Sequence, residues 1–446
     1  MMATRFTRRR FIQSTAAAVT LGPYIRTSHA AGKLDIGFWD HWVPTGNAAL
    51  TALCNEWAAK EKVEIKIDFI PSQGQKNMLT IAAEAQAKAG HDMLAFPTWQ
   101  PADKGNLLVP VDDVMKDVIA ANGEVSPLIE YLAKHEGHWI SVPATPGSQI
   151  KGPCGRIDLL KQHAGLDVTK MYPAGAPPDE KLAEAWTWDA FLVAAEKCHK
   201  AGFPFGIGLG QTPDSVDTMG ALFGAYGATL VDAKGNITVK SDAVRAVLEY
   251  MKKLVAVLPG DTFAWDDASN NKWLIAGKGA LIMNPPSAWA VAKRDNPKVA
   301  EQLWSFPAPR GPKGRHQPYL PYFWGIWKFS KNPSAAKSLL RHLSQRSSVE
   351  KMVAASQGYD IPAFAKLNDF KTWAEEGPPK GTLYHYPPKA GQILAVSAFP
   401  APPKIGAQIY SQAIMTKMVG KAVMDGGSID KAIAWAASEL EGFMRT

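Results

Sequence analysis

Between Lys33 and Phe96 the sequence switches hydrophobic period four times, and this constrains the fold more than any other feature. In "KLDIGFW" Leu34, Ile36 and Phe38 alternate with polar residues or glycine, the period of a strand. "GNAALTALCNEWAAKEK" then places Leu50, Leu53, Cys54 and Trp57 at helical spacing. "VEIKIDFI" returns to strict alternation through Val63, Ile65, Ile67 and Phe69, a half-buried strand. "QKNMLTIAAEAQAKAG" predicts a helix closed by Gly90, and "HDMLAF" the next strand. Two strand–helix–strand units in a row imply a mostly parallel sheet with helices on both faces, because parallel strands need crossover connections.

From about Trp139 the pattern changes. "HWISVPATPG" predicts a short strand ended by two prolines, a crossing between domains. A helix follows at "TWDAFLVAAEKCHKAG", with Thr187 as N-cap, then a strand at "FPFGIGLG". "SDAVRAVLEYMKKLVAVLPG" predicts a long helix capped by Ser241, burying Val244, Val247, Leu248, Met251 and Leu254. "GKGALIMN" reads as another strand, and "NPSAAKSLLRHLSQ" opens a helix with Pro333 in its first turn. The last 40 residues again read as helix, and "PAGAPPD", "FPAPRGPKG" and "YHYPPKAG" as loops. A length of 446 residues suggests two or three domains.

Ahead of this pattern lies "TRRRFIQ", followed by the mildly apolar "STAAAVTLG" and by "SHA", with small residues where a signal peptidase reads. The Arg8-Arg9-Arg10 run and Phe11 resemble a twin-arginine export signal, which implies that residues 1–30 are removed and that the protein works in the periplasm. Removing the five arginines of that segment from 49 basic residues leaves 44 against 41 acidic ones, so the charge balance gives no argument for a nucleic-acid partner. Cys54, Cys154 and Cys198 are too few and too scattered for a disulfide framework or a zinc site; one Cys154–Cys198 bridge and three buried free thiols both remain open. No apolar run approaches the ~20 residues of a membrane-spanning helix.

Five segments in order carry a family resemblance. "TWDAFLVAAEKC", "GATLVDAKGNITVKSDAVRAVLEYMKKLV", "GKGALIMNPPSAW", "WGIWKFSKNPSAAKSLLRHLSQ" and "SQGYDIPAF" resemble the extracellular solute-binding proteins of ABC importers, the group that includes maltose-binding protein. The chain departs from that pattern where "IKGPCGRIDLL" lacks the usual Tyr-Asn, and where Asn284-Pro285-Pro286-Ser287 replaces Asn-Gly-Pro-Trp. The resemblance implies an α/β protein of two lobes joined by crossing segments, with the ligand between them. It further implies a first lobe of 33–143 plus 281–318 and a second of 144–280 plus 319–446. A monomeric, non-enzymatic receptor without cofactor or metal is expected, handing its solute to membrane permease subunits.

Candidate ligand-binding residues follow from where strands end. In open α/β sheets ligands bind beyond the carboxyl ends of the strands. The first strand ends in Trp39, Asp40, His41 and Trp42, and the third runs into Trp99 and Gln100. Aromatic rings offer flat apolar platforms while Asp, His and Gln fix hydroxyls, a pairing suited to sugars. Gln211, Asp214 and Asp217 follow another predicted strand, although both aspartates also suit a helix N-terminus. Asn284, Ser287 and Trp289 come from "NPPSAW"; Tyr322, Phe323 and Trp324 lie in a stretch that is either cleft wall or buried strand. Trp57 and Trp435 sit at helical spacing and belong to the core. "GIGLG" has the wrong spacing for a dinucleotide loop, "HEGH" the wrong spacing for a zinc protease, and "SVEK" lacks the partner motifs of a serine acyl-enzyme. A neutral mono- or oligosaccharide is the expected ligand, with a polyamine, polyol, sugar acid or sugar phosphate as alternatives. A secreted carbohydrate-active enzyme needs two carboxylates about 5–10 Å apart, and only Asp214 with Asp217, or Asp266 with Asp267, are near neighbours in the candidate loops.

Overall fold

A computed structural model describes residues 32–284, 287–375, 392–424 and 426–445. The arginine-rich N-terminal segment, the loop 384–391 and Pro285-Pro286 lie outside the described residues. The opening alternation folds as read: β1 (Lys33–Trp39), α1 (Pro44–Glu61), β2 (Glu64–Ile70), α2 (Lys76–Ala87) and β3 (Met93–Pro97). β1 pairs in parallel with β2, Leu34 opposite Ile65 and Phe38 opposite Phe69, and on its other edge with β3. Leu50, Leu53, Cys54 and Trp57 are the buried stripe of α1. The stop of α2 comes earlier than Gly90, because Lys88 turns left-handed with φ 50° and its N–H reaches the Glu84 carbonyl.

Four further strands complete the first, seven-stranded sheet. β4 (Val142–Ile150) runs straight through Pro143 and Pro146 instead of ending there. It lies at a sheet edge, where a missing N–H leaves no ladder bond unmade. After Gly152 the chain enters β5 (Pro153–Arg156) in a second, three-stranded sheet.

Further helices follow along the chain. Thr187 caps α4 (Trp188–Lys200), following α3 (Asp112–Asn122); Thr212 caps α5 (Pro213–Tyr226) and Ser241 caps α6 (Asp242–Val255). All five residues of the expected α6 stripe are buried. "FPFGIGLG" is not a strand: it makes one bridge, Gly206 to Ile282, and the Trp273 ring packs so close to Gly206 that a Cβ there would lie 2.6 Å from it. In "GATLVDAKGNITV" the chain folds back on itself in a short turn, with one bridge, Val231 to Ile237, and the Thr238 N–H donating to the Leu230 carbonyl.

Next come α7 (Ser269–Ile275), β6 (Leu281–Met283), α8 (Ser287–Asp295) and β7 (Leu303–Ser305). β6 and β7 both pair antiparallel with β5, completing the second sheet. The chain returns to the first sheet in β8 (Gly314–Ile326), whose Tyr322–Ile326 half inserts antiparallel between β3 and β4. The earlier half of β8 pairs with Arg310–Gly311 and with β9 (Gln392–Ala395). Both halves of β8 thus belong to one seven-stranded sheet, which β8 links from end to end. α9 (Pro333–Leu343) and α10 (Arg346–Ala355) then pack on α1, and α11 (Pro403–Ser411), α12 (Ile414–Val423) and α13 (Ile429–Phe443) close the chain. "HEGH" is the tight turn between the short strands Lys134–His135 and His138–Trp139. "SVEK" lies within α10.

Cys54, Cys154 and Cys198 are free and buried, so no Cys154–Cys198 bridge forms. Burial pushes the first two thiols up to about 12 and Cys198 up to about 11. The thiolate is the reactive form. Alkylation of the native protein at pH 8 should therefore modify none of the three, and unfolding should expose them all; a native thiol that reacts at once would contradict this burial.

Candidate functional site

The carboxyl ends of β1 and β3, the exit of β4 and the middle of β8 converge on one cavity holding about 550 Å³ of empty space. Its aromatic wall starts at Trp39, the last residue of β1, which is 4 % exposed. Trp39 stacks on Tyr359 with ring centres 6.1 Å apart and tilts against Tyr322 at 5.5 Å. Trp42 is half-buried and lines the same cavity, with Tyr410 at the end of α11. The Trp39 Nε1–H is buried and has no hydrogen-bond partner among the described residues. A buried donor left unpaired costs free energy unless something accepts from it.

The same cavity also has a polar lining. Asn284, just past β6, donates from Nδ2 to Asn270 Oδ1 at 2.8 Å and to Asn271 Oδ1 at 2.7 Å. Asn270 in turn donates to Asp214 Oδ2 at 3.1 Å, and Asn271 to Ser287 Oγ at 3.2 Å. From α2, Asn77 donates to the Tyr322 hydroxyl at 3.2 Å. Gln149 from β4 and Asp267 from the turn before α7 complete this lining.

The strongest electrostatic feature is Lys151, 1 % exposed at the exit of β4. Its Nζ lies 2.7 Å from Asp214 Oδ1 and 2.9 Å from Asp217 Oδ2. Burial opposes its charge, but Asp214 and Asp217 outweigh that and hold the ammonium above its ordinary range. Burial pushes Asp217 up to about 6 in spite of Lys151, and burial together with Asp214 pushes Asp267 up to about 7.

Of the residues expected from sequence, Trp39, Trp42, Asp214, Asn284, Ser287 and Tyr322 line this cavity. Asp217 lies just beneath it, fully buried on Lys151. His41 stands one layer behind: its Nδ1 accepts from the Val43 N–H at 2.8 Å and its Nε2 faces Asp360 Oδ1 at 3.0 Å. Asp40 is exposed and accepts from Asn47. Gln100 and Gln211 line a neighbouring cavity of about 850 Å³ that shares Asn77, Met78, Pro213 and Tyr410 with the first.

The remaining expected residues lie elsewhere. Trp99 is wholly buried, donating from Nε1 to the Ser397 carbonyl at 2.8 Å. Thr98 is left-handed (φ 45°) and turns the chain after β3, so Pro97 lines the cavity and Trp99 goes under Gly406 of α11. Phe323 and Trp324 are core, the latter packed on Phe38, which decides between cleft and buried strand for those two. Trp289 sits on α8 under the Lys293 ammonium.

Sequence reasoning underused several cavity residues. Lys151 was visible only as a basic residue near the resemblance's departure point, although "SQIK" puts four residues, three of them polar, where β4 is entirely buried. Asn271, Tyr359, Tyr410 and Asn77 reach the cavity through tertiary convergence, which no local pattern announces.

Comparison with known proteins agrees with this architecture. A family profile described as bacterial extracellular solute-binding protein matches residues 52–421. No curated protein matches the chain in sequence. Among solved structures, the maltose-bound MalE3 of T. maritima is 18 % identical, with TM-score 0.72 over 92 % of this chain and 99 % of that one. The GacH receptor of Streptomyces glaucescens, solved unliganded and with acarbose, is 19 % identical, with TM-score 0.70 over 93 % and 98 %. A sugar transporter protein of Arthrobacter chlorophenolicus with bound laminaribiose is 13 % identical, with TM-score 0.72 over 92 % and 99 %. At these identities the likeness establishes the two-lobed fold. With most of its length matched by the family profile, the chain belongs to the bacterial extracellular solute-binding protein family.

Proposed function

We propose that the protein is the receptor subunit of an ABC importer, that it captures a mono- or oligosaccharide in the cavity between its two sheets, and that it delivers this solute to membrane permease subunits. One observation carries the reading: the aromatic rings of Trp39, Trp42, Tyr322 and Tyr359 line one cavity together with amides and carboxylates, and the buried Trp39 Nε1–H has no acceptor among the described residues. A pyranose has apolar C–H faces and a hydroxyl rim, and so suits both kinds of lining. The ligands named for the similar structures, maltose, acarbose and laminaribiose, are of the same chemistry.

Closure supplies the mechanism. Cavity residues come from the first sheet (Trp39, Pro97, Tyr322) and from just past β6 of the second (Asn284), so a solute touching both would favour a closed arrangement by its differential affinity. Asp214 and Asp217, one of the two carboxylate pairs an enzyme reading would use, are both held by Lys151. Export by the Arg8-Arg9-Arg10 signal would bring the mature chain to the periplasm, where a monomer would meet its permease.

A thermal-shift panel of sugars, polyols, sugar acids, sugar phosphates and polyamines tests the reading, since a ligand that binds only the folded state raises its melting temperature. A rise confined to sugars is expected, with no product formed on prolonged incubation. A rise with another class alone, or any turnover, would overturn it. Trp42→Ala should weaken the best sugar by about 1–2 kcal/mol, roughly tenfold, with little change in melting temperature because Trp42 is only half-buried.

A further inference from the structure

Formal charge in the cavity does not balance. Among the described residues that line it or lie directly beneath it, Lys151 is the sole cation, against Asp214, Asp217 and Asp267. Lys151 is committed to Asp214 and Asp217, at 2.7 and 2.9 Å. Asp267 has no ion pair of its own: Thr212 and the Asp214 N–H bond to its carboxylate, while its Oδ1 is buried and has no hydrogen-bond partner among the described residues. Three tyrosines, Tyr322, Tyr359 and Tyr410, and two tryptophans, Trp39 and Trp42, form the rest of the wall, and aromatic faces attract a cation. The raised titrations of Asp217 and Asp267 fit a site with more carboxylate than cation. An anionic solute would meet two like charges and no free cation. A simple ammonium ion would leave the unpaired Trp39 Nε1–H without an acceptor.

We propose that this cavity selects an aminated sugar, with hydroxyls on Trp39 Nε1 and the amide wall and a protonated amine against Asp267. The inference rests on the saccharide reading above and narrows it. The ammonium supplies the counter-charge that Asp267 lacks, and the aromatic wall stabilises the same charge from the side. A neutral sugar makes the hydroxyl contacts alone and leaves Asp267 to take up a proton instead.

Calorimetric titration of the full chain at pH 7 with glucosamine and galactosamine, their N-acetyl forms, glucose, galactose, glucuronate and choline tests this. One of the two amines should bind at least tenfold more tightly than its neutral parent and its N-acetyl form, and glucuronate should not bind. Asp267→Asn should bring the amine-to-parent ratio near one; because the wild-type ratio needs no variant, a folding defect would not obscure the result. A neutral sugar that binds as well as its amine overturns the inference while leaving the saccharide reading standing. Binding of choline without any sugar overturns both, as does the absence of binding across the series. An unchanged ratio in Asp267→Asn overturns the assignment to that carboxylate.

Discussion

Replacing Lys151 by alanine is expected to destabilise the protein by about 3–5 kcal/mol, because it leaves buried carboxylates without their cation. Asp217 is 0 % exposed, and Lys151 Nζ at 2.9 Å is its ion-pair partner. The loss should depend on pH, and its sign follows from the titrations. Asp217 and Asp267 hold protons up to about 6 and about 7 in the folded protein. An unfolded aspartate does so only to about 4. Between those limits the folded state binds more protons than the unfolded one, so stability falls as pH rises from about 4 to 7. Without Lys151 both groups move further up, and the fall should steepen and extend to higher pH. Urea unfolding at pH 5 and pH 8 measures this: a variant within 1 kcal/mol of wild type at pH 8 would show that Lys151 does not neutralise the cluster.

Trp99→Ala should cost about 3–5 kcal/mol of stability, the range of a large core truncation, and leave sugar affinity unchanged. Its ring is fully buried, edge-on to Tyr131 at 6.2 Å, and its Nε1–H is satisfied by the Ser397 carbonyl. A Cβ at Gly406 would lie 2.7 Å from that ring, so α11 packs directly on it. The outcome separates this residue from Trp42: one truncation should lower the melting temperature without touching affinity, and the other should do the reverse. A loss of affinity with the fold intact would return Trp99 to the cleft.

Position in sequence therefore misled at Trp99 for a local reason. The left-handed turn at Thr98 redirects the chain one residue past the strand. At Trp39 the same logic held, because that residue ends β1 itself and the strand fixes its direction. Periodicity made α1, α6 and the β1–β2 pairing legible, since each buries one regular face. It failed where burial is complete. β4 and β8 are buried almost throughout, so neither alternates. Prolines stood in for a boundary in β4 that the edge position makes unnecessary. Phe323 and Trp324 share a strand with Tyr322, and only the tertiary neighbours decide which of the three meets the cavity.

The candidate site was half legible for the same reason. Aromatic residues at the end of β1 and the Asn284–Ser287 loop are local features that a reader of the chain can find. The Lys151 cluster is not local: Lys151 is 63 and 66 residues from its two aspartates, and Asn271 reaches Ser287 across the β6 strand. Charge pairing at that separation depends on the fold already being in place.

Crystallising the protein with the sugar that raises its melting temperature most would test the central claim directly. One ring should lie against Trp39 and Trp42, with Trp39 Nε1 donating to a sugar oxygen and the Asn284–Asn271 amides on its hydroxyl rim. A sugar bound on the outer surface, with the cavity between the sheets occupied only by water, would contradict it.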